Sequence, residues 1–407
     1  MVWTTIVILS LLLAVSYLYT RSIIHPGVVT AGIWLMLLII YNASNFDLYA
    51  LSDSFYKAVL LWTCPFCIAS LINQQTPSLV PDFIAGDANP NMLSILKPLI
   101  LISLVAATVA LVYRGRLFDP SNILYGIRLA SVASLRGEED AIPFPLWMKP
   151  FVEFANNAAL PVAMYLVIIK RDRSKYSKIL LALLIVYFLL RTNKTVIAQI
   201  GMAFVCIMLI EQTISKKKAV IGLLVIAALM IGISYVRGLG IREGDFMVSE
   251  FLAQYLLAPL PAFDSVLDSY TFIEDFHGEY TFRPFIKFMQ LFDSSIVGNS
   301  DPYNLKNWVY VPVPINVYTA LFTFYEDFGY IGIACYGIIL GLLAGMVFKH
   351  AEQGYLASKL VYACLFYTIA FQFFSDYFFQ FFWTNMGFVF FAVLLVVKFK
   401  VKKDTEK

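Results

Sequence analysis

The chain is threaded by apolar runs long enough to cross a lipid bilayer, and that one feature decides most of what it can fold into. Eleven such runs are visible, at about 2–19, 26–42, 55–72, 98–113, 151–169, 179–190, 195–211, 219–236, 329–348, 360–375 and 381–397. A backbone surrounded by hydrocarbon must satisfy its own N–H and C=O groups, and a helix of roughly 20 residues does so across a core of about 30 Å. Composition agrees: 60% of the residues are hydrophobic and 14% are charged, against about 45–50% and about 25% in soluble domains. The pattern predicts an all-α polytopic integral membrane protein with about 11 (10–12) transmembrane helices. It excludes disordered, collagen-like, coiled-coil and disulfide-scaffold chains. The 30 Lys and Arg against 27 Asp and Glu leave a scattered net charge of +3, which argues against a nucleic-acid partner.

Orientation follows from Lys and Arg in the short loops, which favour the cytoplasm. Basic clusters occur at Lys170, Arg171, Arg173, Lys175 and Lys178, at Lys216–Lys218, at Lys349 and Lys359, and along the tail from Lys398 to Lys407. Two apolar runs separate each cluster from the next, so all four fit on the cytoplasmic side, with the C-terminus there too. Counting back puts the N-terminus outside and Arg21 inside. The same count puts 114–150 outside, although it holds Arg114, Arg116, Arg128, Arg136 and Lys149. Either those cations have a reason of their own, or a further crossing lies between 117 and 150. The chain thus divides into eight helices over 1–236, a large external loop over 237–316, and three helices with a basic tail over 317–407. The run Val2 to Tyr19 lacks a basic leader and a small-residue cleavage site, and reads as a retained helix. Cys64-Pro65-Phe66-Cys67 has redox-motif spacing without the soluble βαβ setting such motifs need. The three histidines are dispersed, so neither a metal nor another cofactor is expected.

The loop 237–316 carries ten acidic and five basic residues, with aromatics such as Phe246, Tyr255, Tyr270, Phe272, Tyr280, Trp308 and Tyr310. Disordered segments are poor in aromatics, so an ordered loop over the membrane surface is expected. Pro284 sits well as a first helical residue, and the apolar stretch after it reads as a short interfacial helix. A second helix begins after Pro314. If 315–348 were one helix it would reach about 51 Å, beyond a core of about 30 Å, so 315–328 should project outward. There Asn316, Thr319, Thr323 and Asp327 step along one helical face, which would meet a polar ligand, a polar partner helix or solvent.

Arginines collect on the external side: Arg237, Arg242, Arg283, and Arg191 in the turn Arg191-Thr192-Asn193-Lys194. Their planar forks match phosphate and carboxylate oxygens. One such residue alone is as readily a headgroup contact or a salt bridge to Glu243 or Asp245. Together, with aromatics that stack on sugars, they favour an anionic ligand such as a lipid-linked sugar diphosphate. No phosphate-cradling glycine motif is present.

At several phrases the chain resembles the O-antigen and capsule repeat-unit polymerases of the flippase–polymerase pathway, usually called Wzy. These phrases are Arg191 to Lys194, Tyr255 to Leu267 with Pro259 and Asp264, and Gly278 to Pro284. Most characteristic are Asn316-Val317-Tyr318-Thr319 and Tyr325-Glu326-Asp327-Phe328-Gly329. The resemblance implies a GT-C-like membrane glycosyltransferase of the bacterial inner membrane. Such an enzyme moves a growing glycan from undecaprenyl diphosphate onto the next lipid-linked unit, so donor and acceptor are both lipid-linked and no nucleotide sugar is used. It further implies membrane lipids, a chain-length regulator and a flippase as partners. The duplicated Arg-to-Gly spacing that members often carry in two external loops is not found. The chemistry calls for charge stabilisation on a departing diphosphate and a base for the acceptor hydroxyl. Candidate bases are Glu243, Asp245, Asp264 and Asp327. Candidate substrate-binding residues are Arg191, Lys194, Arg237, Arg242, Arg283, Asn316, Tyr318, Thr319, Thr323 and Tyr325. The rival readings are an O-antigen ligase and, from another class, a lipid-linked oligosaccharide transporter, which would be expected to carry more charge within its spans.

Overall fold

A computed structural model describes residues 1–44, 46–72, 74, 86–136, 144–191, 193–238, 253–267, 278–293, 295–296 and 308–397. The helices in order are α1 Val2–Thr20, α2 Pro26–Ala43, α3 Asp53–Ile72, α4 Pro90–Phe118, α5 Ile123–Arg136, α6 Lys149–Ile169, α7 Lys175–Leu190 and α8 Lys194–Ile210. They continue as α9 Lys216–Gly238, α10 Pro259–Leu267, α11 Arg283–Met289, α12 Ala320–Glu352, α13 Leu356–Ala370, α14 Tyr377–Gln380 and α15 Phe382–Val396. Among the described residues β-structure is confined to a two-residue antiparallel ladder, Val309–Tyr310 against Pro314–Ile315. Each of the eleven apolar runs coincides with a helix. Six of these, α1, α2, α3, α4, α6 and α12, are long and apolar enough to cross a membrane, and α8, α13 and α15 are shorter apolar helices. The chain is a helical membrane protein.

Small polar side chains set where the helices begin. Asn89 and Asn193 each accept the first free N–H of their helix at 3.0 Å, from Asn91 and Thr195. Such caps satisfy donors that the helix itself cannot. Cys67 lies buried within α3 with its thiol on the Gly27 carbonyl, and both Cys64 and Cys67 are free thiols. They are packing residues of a helix.

Two large apolar cores form among the described residues, beside a small third cluster where Ala198 and Val205 of α8 meet Ala219 and Ile226 of α9. One gathers α4, α6, α7, α8, α13 and α15, and the other gathers α2, α3, α10 and the first part of α12. The most extensive helix pairing among the described residues is α3 with α12. A Cβ placed on Gly337, Gly341 or Gly345 would stand 3.0, 2.5 and 2.4 Å from the carbonyl oxygens of Trp62, Phe66 and Ser70. Glycine at every fourth position thus meets matching turns of α3, a small-residue seam that lets two parallel helices touch along their backbones. The cores join at Gln372. Its side-chain oxygen accepts from the indole N–H of Trp34 at 3.3 Å and from that of Trp62, and its amide donates to Thr30 Oγ1 at 3.0 Å.

Contacts sort the loops into two ends. At one, Lys359 pairs with Glu211 at 2.6 Å, Lys97 lies 3.9 Å from Asp172, Lys216 donates to Tyr17, and Asn89 reaches the Val397 carbonyl. The basic clusters within the described residues therefore share one end. At the other, the chain's amino group pairs with Asp53 at 3.2 Å, and Ser52 meets Asp264.

One expectation changes, and two open alternatives are narrowed. The helix expected over 315–348 begins at Ala320, so Asn316 precedes it, just after the short ladder, and does not share the helical face of Thr323 and Asp327. The helix breaks at Gly329, whose φ of 61° and ψ of −153° suit glycine alone. The segments 320–328 and 330–352 thereby meet across a kink. The stripe does not project into solvent: Thr319, Thr323 and Asp327 are all buried. Lastly, the cations at 114–150 have a packing reason in one case. α5 folds back along α4, and Arg114 is buried between them, donating to the Ala130 carbonyl at 2.9 Å and lying 4.1 Å from the centre of the Phe144 ring. At 14 residues, or about 21 Å, α5 is shorter than a bilayer core.

Candidate functional site

The turn between α13 and α15, residues 371–381, organises the end opposite the basic clusters. Hydropathy reads its phenylalanines as membrane span, but helix α13 stops at Ala370 and the chain runs as a packed aromatic turn. Asp376 caps α14 by accepting from the N–H groups of Phe378 and Phe379 at 3.0 and 3.2 Å. The rings of Tyr255, Phe374, Tyr377 and Phe381 stack in series, with centroids 6.0, 6.3 and 5.7 Å apart. Lys194 caps the series, its ammonium 3.9 Å from the centre of Tyr255. That distance is a strong cation–π contact.

Two cavities flank the turn. An apolar one of about 240 Å³ lies between α3, α12, α13 and α15, lined by residues such as Phe66, Phe324, Leu340 and Leu365. Gln372, Asp376 and Tyr377 are its polar edge. A smaller polar one of about 60 Å³ is lined by Asn156, Arg191, Asn193, Thr195, Gln199 and Thr384, among others. There Arg191 donates to Asn156 Oδ1 at 2.9 Å, and Tyr187 donates to the same oxygen at 2.7 Å. The buried Gln199 Nε2 has no acceptor among the described residues. Tyr367 and Tyr377 stand between the cavities, their rings 5.8 Å apart, and Tyr377 Oη lies 3.3 Å from Thr195 Oγ1. Arg191 and Lys194, adjacent in the sequence turn, therefore serve one neighbourhood that the apolar cavity also borders.

Arg283 joins from another side. It starts α11 and points Nη2 at the Gln380 carbonyl, 3.5 Å away. The short helix expected after Pro284 is present, with Phe285, Phe288 and Met289 exposed as an interfacial helix requires. Arg242, Glu243 and Asp245 lie outside the described residues, as does the side chain of Arg237, whose backbone ends α9.

The acids separate in role. Asp264 accepts from both the N–H and the hydroxyl of Ser52, fastening α10 to the start of α3. Asp327 is 3% exposed and accepts from the N–H of Tyr280 at 3.1 Å and of Thr281 at 2.7 Å, one bond to each oxygen. Burial raises its pKa, and those hydrogen bonds pull it back. Its neighbour Glu326 is half-buried, and burial, helped by the nearby Asp327 charge, pushes its carboxyl up to about 7. Glu326 lies in the phrase Tyr325 to Gly329, but spacing counted from Asn316 passes through Asp327 and not through it. Tyr318 is buried and stacks on Phe322 at 4.4 Å, and Tyr280 meets the same ring edge-on at 5.3 Å. Tyr325 turns inward, donating to the Leu267 carbonyl at 3.1 Å. Thr319 and Thr323 are buried at the start of α12, and Asn316 is half-buried.

No protein-family model, curated protein or solved structure matches this chain.

Proposed function

We propose that the chain is a membrane glycosyltransferase that joins undecaprenyl-diphosphate-linked oligosaccharide repeat units into O-antigen, capsular or exopolysaccharide. The reaction takes place on the external face of the bacterial plasma membrane. The observation that carries the reading is the adjacency of two unlike cavities across Tyr377. A polyprenyl diphosphate needs an apolar slot for its chain near cations for its oxygens, and Tyr377, which lines the slot between α3 and α12–α15, reaches Thr195 of the smaller cavity that Arg191 lines. Arginine and lysine at that boundary would stabilise charge on the departing diphosphate without further chemistry. The lipid-linked donor and acceptor are the substrates, and a flippase and chain-length regulator are the expected partners. The eleven helices are the proposed spans, with the basic end cytoplasmic and 237–316 external.

Deleting the chain tests this. A strain lacking it should display single repeat units on the cell surface or on lipid carrier. Intact polymer stranded on undecaprenyl diphosphate would instead identify a ligase, and a normal polymer ladder would reject the enzyme reading. Reporter fusions at Ser215 and Gly354 should score cytoplasmic and one at Ser295 external; a cytoplasmic Ser295 would overturn the orientation.

A further inference from the structure

Helix α8 starts on the polar residues of the α7–α8 turn, and its first turn lines the smaller cavity through Asn193, Thr195 and Val196. A helix of 17 residues carries partial positive charge at that end, where anions are stabilised. Two side chains of the same cavity point to a ligand there. Gln199, four residues beyond Thr195 and so on the same face of α8, is 8% exposed, and its Nε2 has no acceptor among the described residues. A buried donor left unpaired is costly, yet Gln199 lines the cavity, where a ligand oxygen can meet it. The torsion of a terminal amide is broad and roughly two-fold, so the N–H can turn toward such an oxygen. The second is Arg191, at the end of α7. Its Nη1 donates to Asn156 Oδ1 at 2.9 Å, and the Tyr187 hydroxyl occupies the same oxygen at 2.7 Å. Among the described residues that is the side chain's one hydrogen bond. A fork with five N–H donors is thus anchored by Asn156 and keeps donors for a ligand. No other charged side chain lines the cavity among the described residues.

We propose that this cavity is a site for one phosphoryl group, held by Arg191, by the N-terminus of α8 and by Gln199. Taking that group as part of the departing undecaprenyl diphosphate rests on the polymerase reading above. The volume of about 60 Å³ equals about two waters of the liquid, at about 30 Å³ each. Such a space suits one tetrahedral anion and is too small for a sugar ring. Arg191 supplies the charge and Gln199 a neutral, directional donor, so the anion gains hydrogen bonds without a second cation crowding the cavity. Tyr377 lines the apolar cavity and its Oη lies 3.3 Å from Thr195 Oγ1. A phosphoryl group seated here therefore has the slot for its lipid chain across one tyrosine. Gln199 sits inside the apolar run 195–211, where hydropathy reads it as a polar residue of a span; only the fold places it beside Arg191.

The test uses the full chain purified in detergent and isothermal titration. Farnesyl diphosphate is the soluble polyprenyl diphosphate, and inorganic pyrophosphate and phosphatidylglycerol are the other phosphoryl sources. Wild type should bind farnesyl diphosphate more tightly than either. Gln199→Met, of similar length and without the amide, should weaken that binding about tenfold or more, as loss of a hydrogen bond to a charged group does. Its ligand-free melting temperature should match wild type, because the donor removed has no acceptor among the described residues to lose. Gln199→Glu should weaken binding further by setting a carboxylate against the anion, and Gln353→Met, exposed at the basic end, should match wild type. If Gln199→Met does not fold, Gln199→Asn and Gln199→Glu carry the comparison. Affinity for farnesyl diphosphate within threefold of wild type in the Gln199 variants overturns this assignment and leaves the polymerase reading standing. An affinity loss matched by ligand-free melting well below wild type in every Gln199 variant makes Gln199 a packing residue and overturns its role. Pyrophosphate or phosphatidylglycerol binding as tightly as farnesyl diphosphate, with the same dependence on Gln199, upholds the phosphoryl site and strikes the polymerase reading. Wild type that binds no probe overturns the site and that reading together, the cavity then holding water alone.

Discussion

Asp327→Ala isolates what the Asp327 carboxylate does to the fold. The substitution leaves the N–H groups of Tyr280 and Thr281, now 3.1 and 2.7 Å from a carboxylate, without their acceptor. Each buried donor left unsatisfied costs about 1–3 kcal/mol, an upper range of about 2–6 kcal/mol for the pair. Two effects reduce it. Desolvation already disfavours the buried charge, as its raised pKa records, so removing the charge returns part of the cost. Water can also reach a turn whose Glu279 and Tyr280 are half-exposed. A net loss of about 2–3 kcal/mol is expected. That loss belongs to the turn, so the sharpest readout is amide hydrogen exchange, where about 1.4 kcal/mol corresponds to tenfold. Tyr280 and Thr281 should exchange about 30-fold or more faster, while the seam of α3 and α12 keeps wild-type protection. Asp327→Asn retains one acceptor and should show a smaller change. If both amides exchange at the wild-type rate in Asp327→Ala, the carboxylate does not hold the turn.

Gly341→Leu should lower the melting temperature in detergent strongly and Gly341→Ala less, since even a Cβ there meets the Phe66 carbonyl at 2.5 Å; Gly232→Ala, with open space around it, should be neutral. Arg191→Ala should cut polymer formation about tenfold or more at unchanged protein level, given about 1.5–3 kcal/mol for a charged hydrogen bond, with Arg191→Lys intermediate and Arg173→Ala unaffected; normal long-chain polymer from Arg191→Ala would remove it from the diphosphate site. Glu326 holds its proton more tightly folded than unfolded, because burial lifts its pKa from 4.5 to about 7. Its contribution to stability is therefore fully present below about 4.5 and lost as pH rises through about 7. Glu326→Gln should thus melt above wild type at pH 8, with the gap closing by pH 5; no gap at pH 8 would show that the carboxyl is well solvated.

Hydropathy finds helices well where length in hydrocarbon is the constraint. The runs 2–19, 26–42 and 381–397 correspond to α1, α2 and α15 within a residue or two. It fails where apolar residues pack against protein instead of lipid. Phe371, Phe373 and Phe374 carry the same hydropathy as a span, yet Gln372 among them must meet two indoles and a threonine, and that demand bends the chain. Arg191 and Lys194 were legible as a pair because they share one turn. Asp264 was legible as an acid but not as the partner of Ser52, a residue 212 positions away. Spacing alone cannot register such a pairing, nor can it tell that a helical face begins at Ala320 and not at Asn316. Gly337, Gly341 and Gly345 recur at intervals of four in the sequence, but only the fold shows that they meet Trp62, Phe66 and Ser70 of α3.

The aromatic turn between α13 and α15 explains how these scattered pieces come to share one end. Gln372 ties it to α2 and α3 through its side chain, and its carbonyl accepts the N–H of Ala320 at 2.7 Å, fixing where α12 begins. Tyr377 reaches Thr195 beside the Arg191 cavity, Phe379 packs on Phe324 and Tyr336 of α12, and Gln380 receives Arg283. Asn385, fully buried, donates to the carbonyls of Tyr377 and Phe378 and accepts from Tyr367 at 2.9 Å. One rigid turn thus sets the distance between the cations of the α7–α8 turn and the acids of α12, with the apolar cavity against its inner side. A reaction that must hold a diphosphate, its lipid chain and an acceptor hydroxyl in one alignment depends on that distance more than on any single charge, since misplacement by about 1 Å can cost about 100-fold in rate.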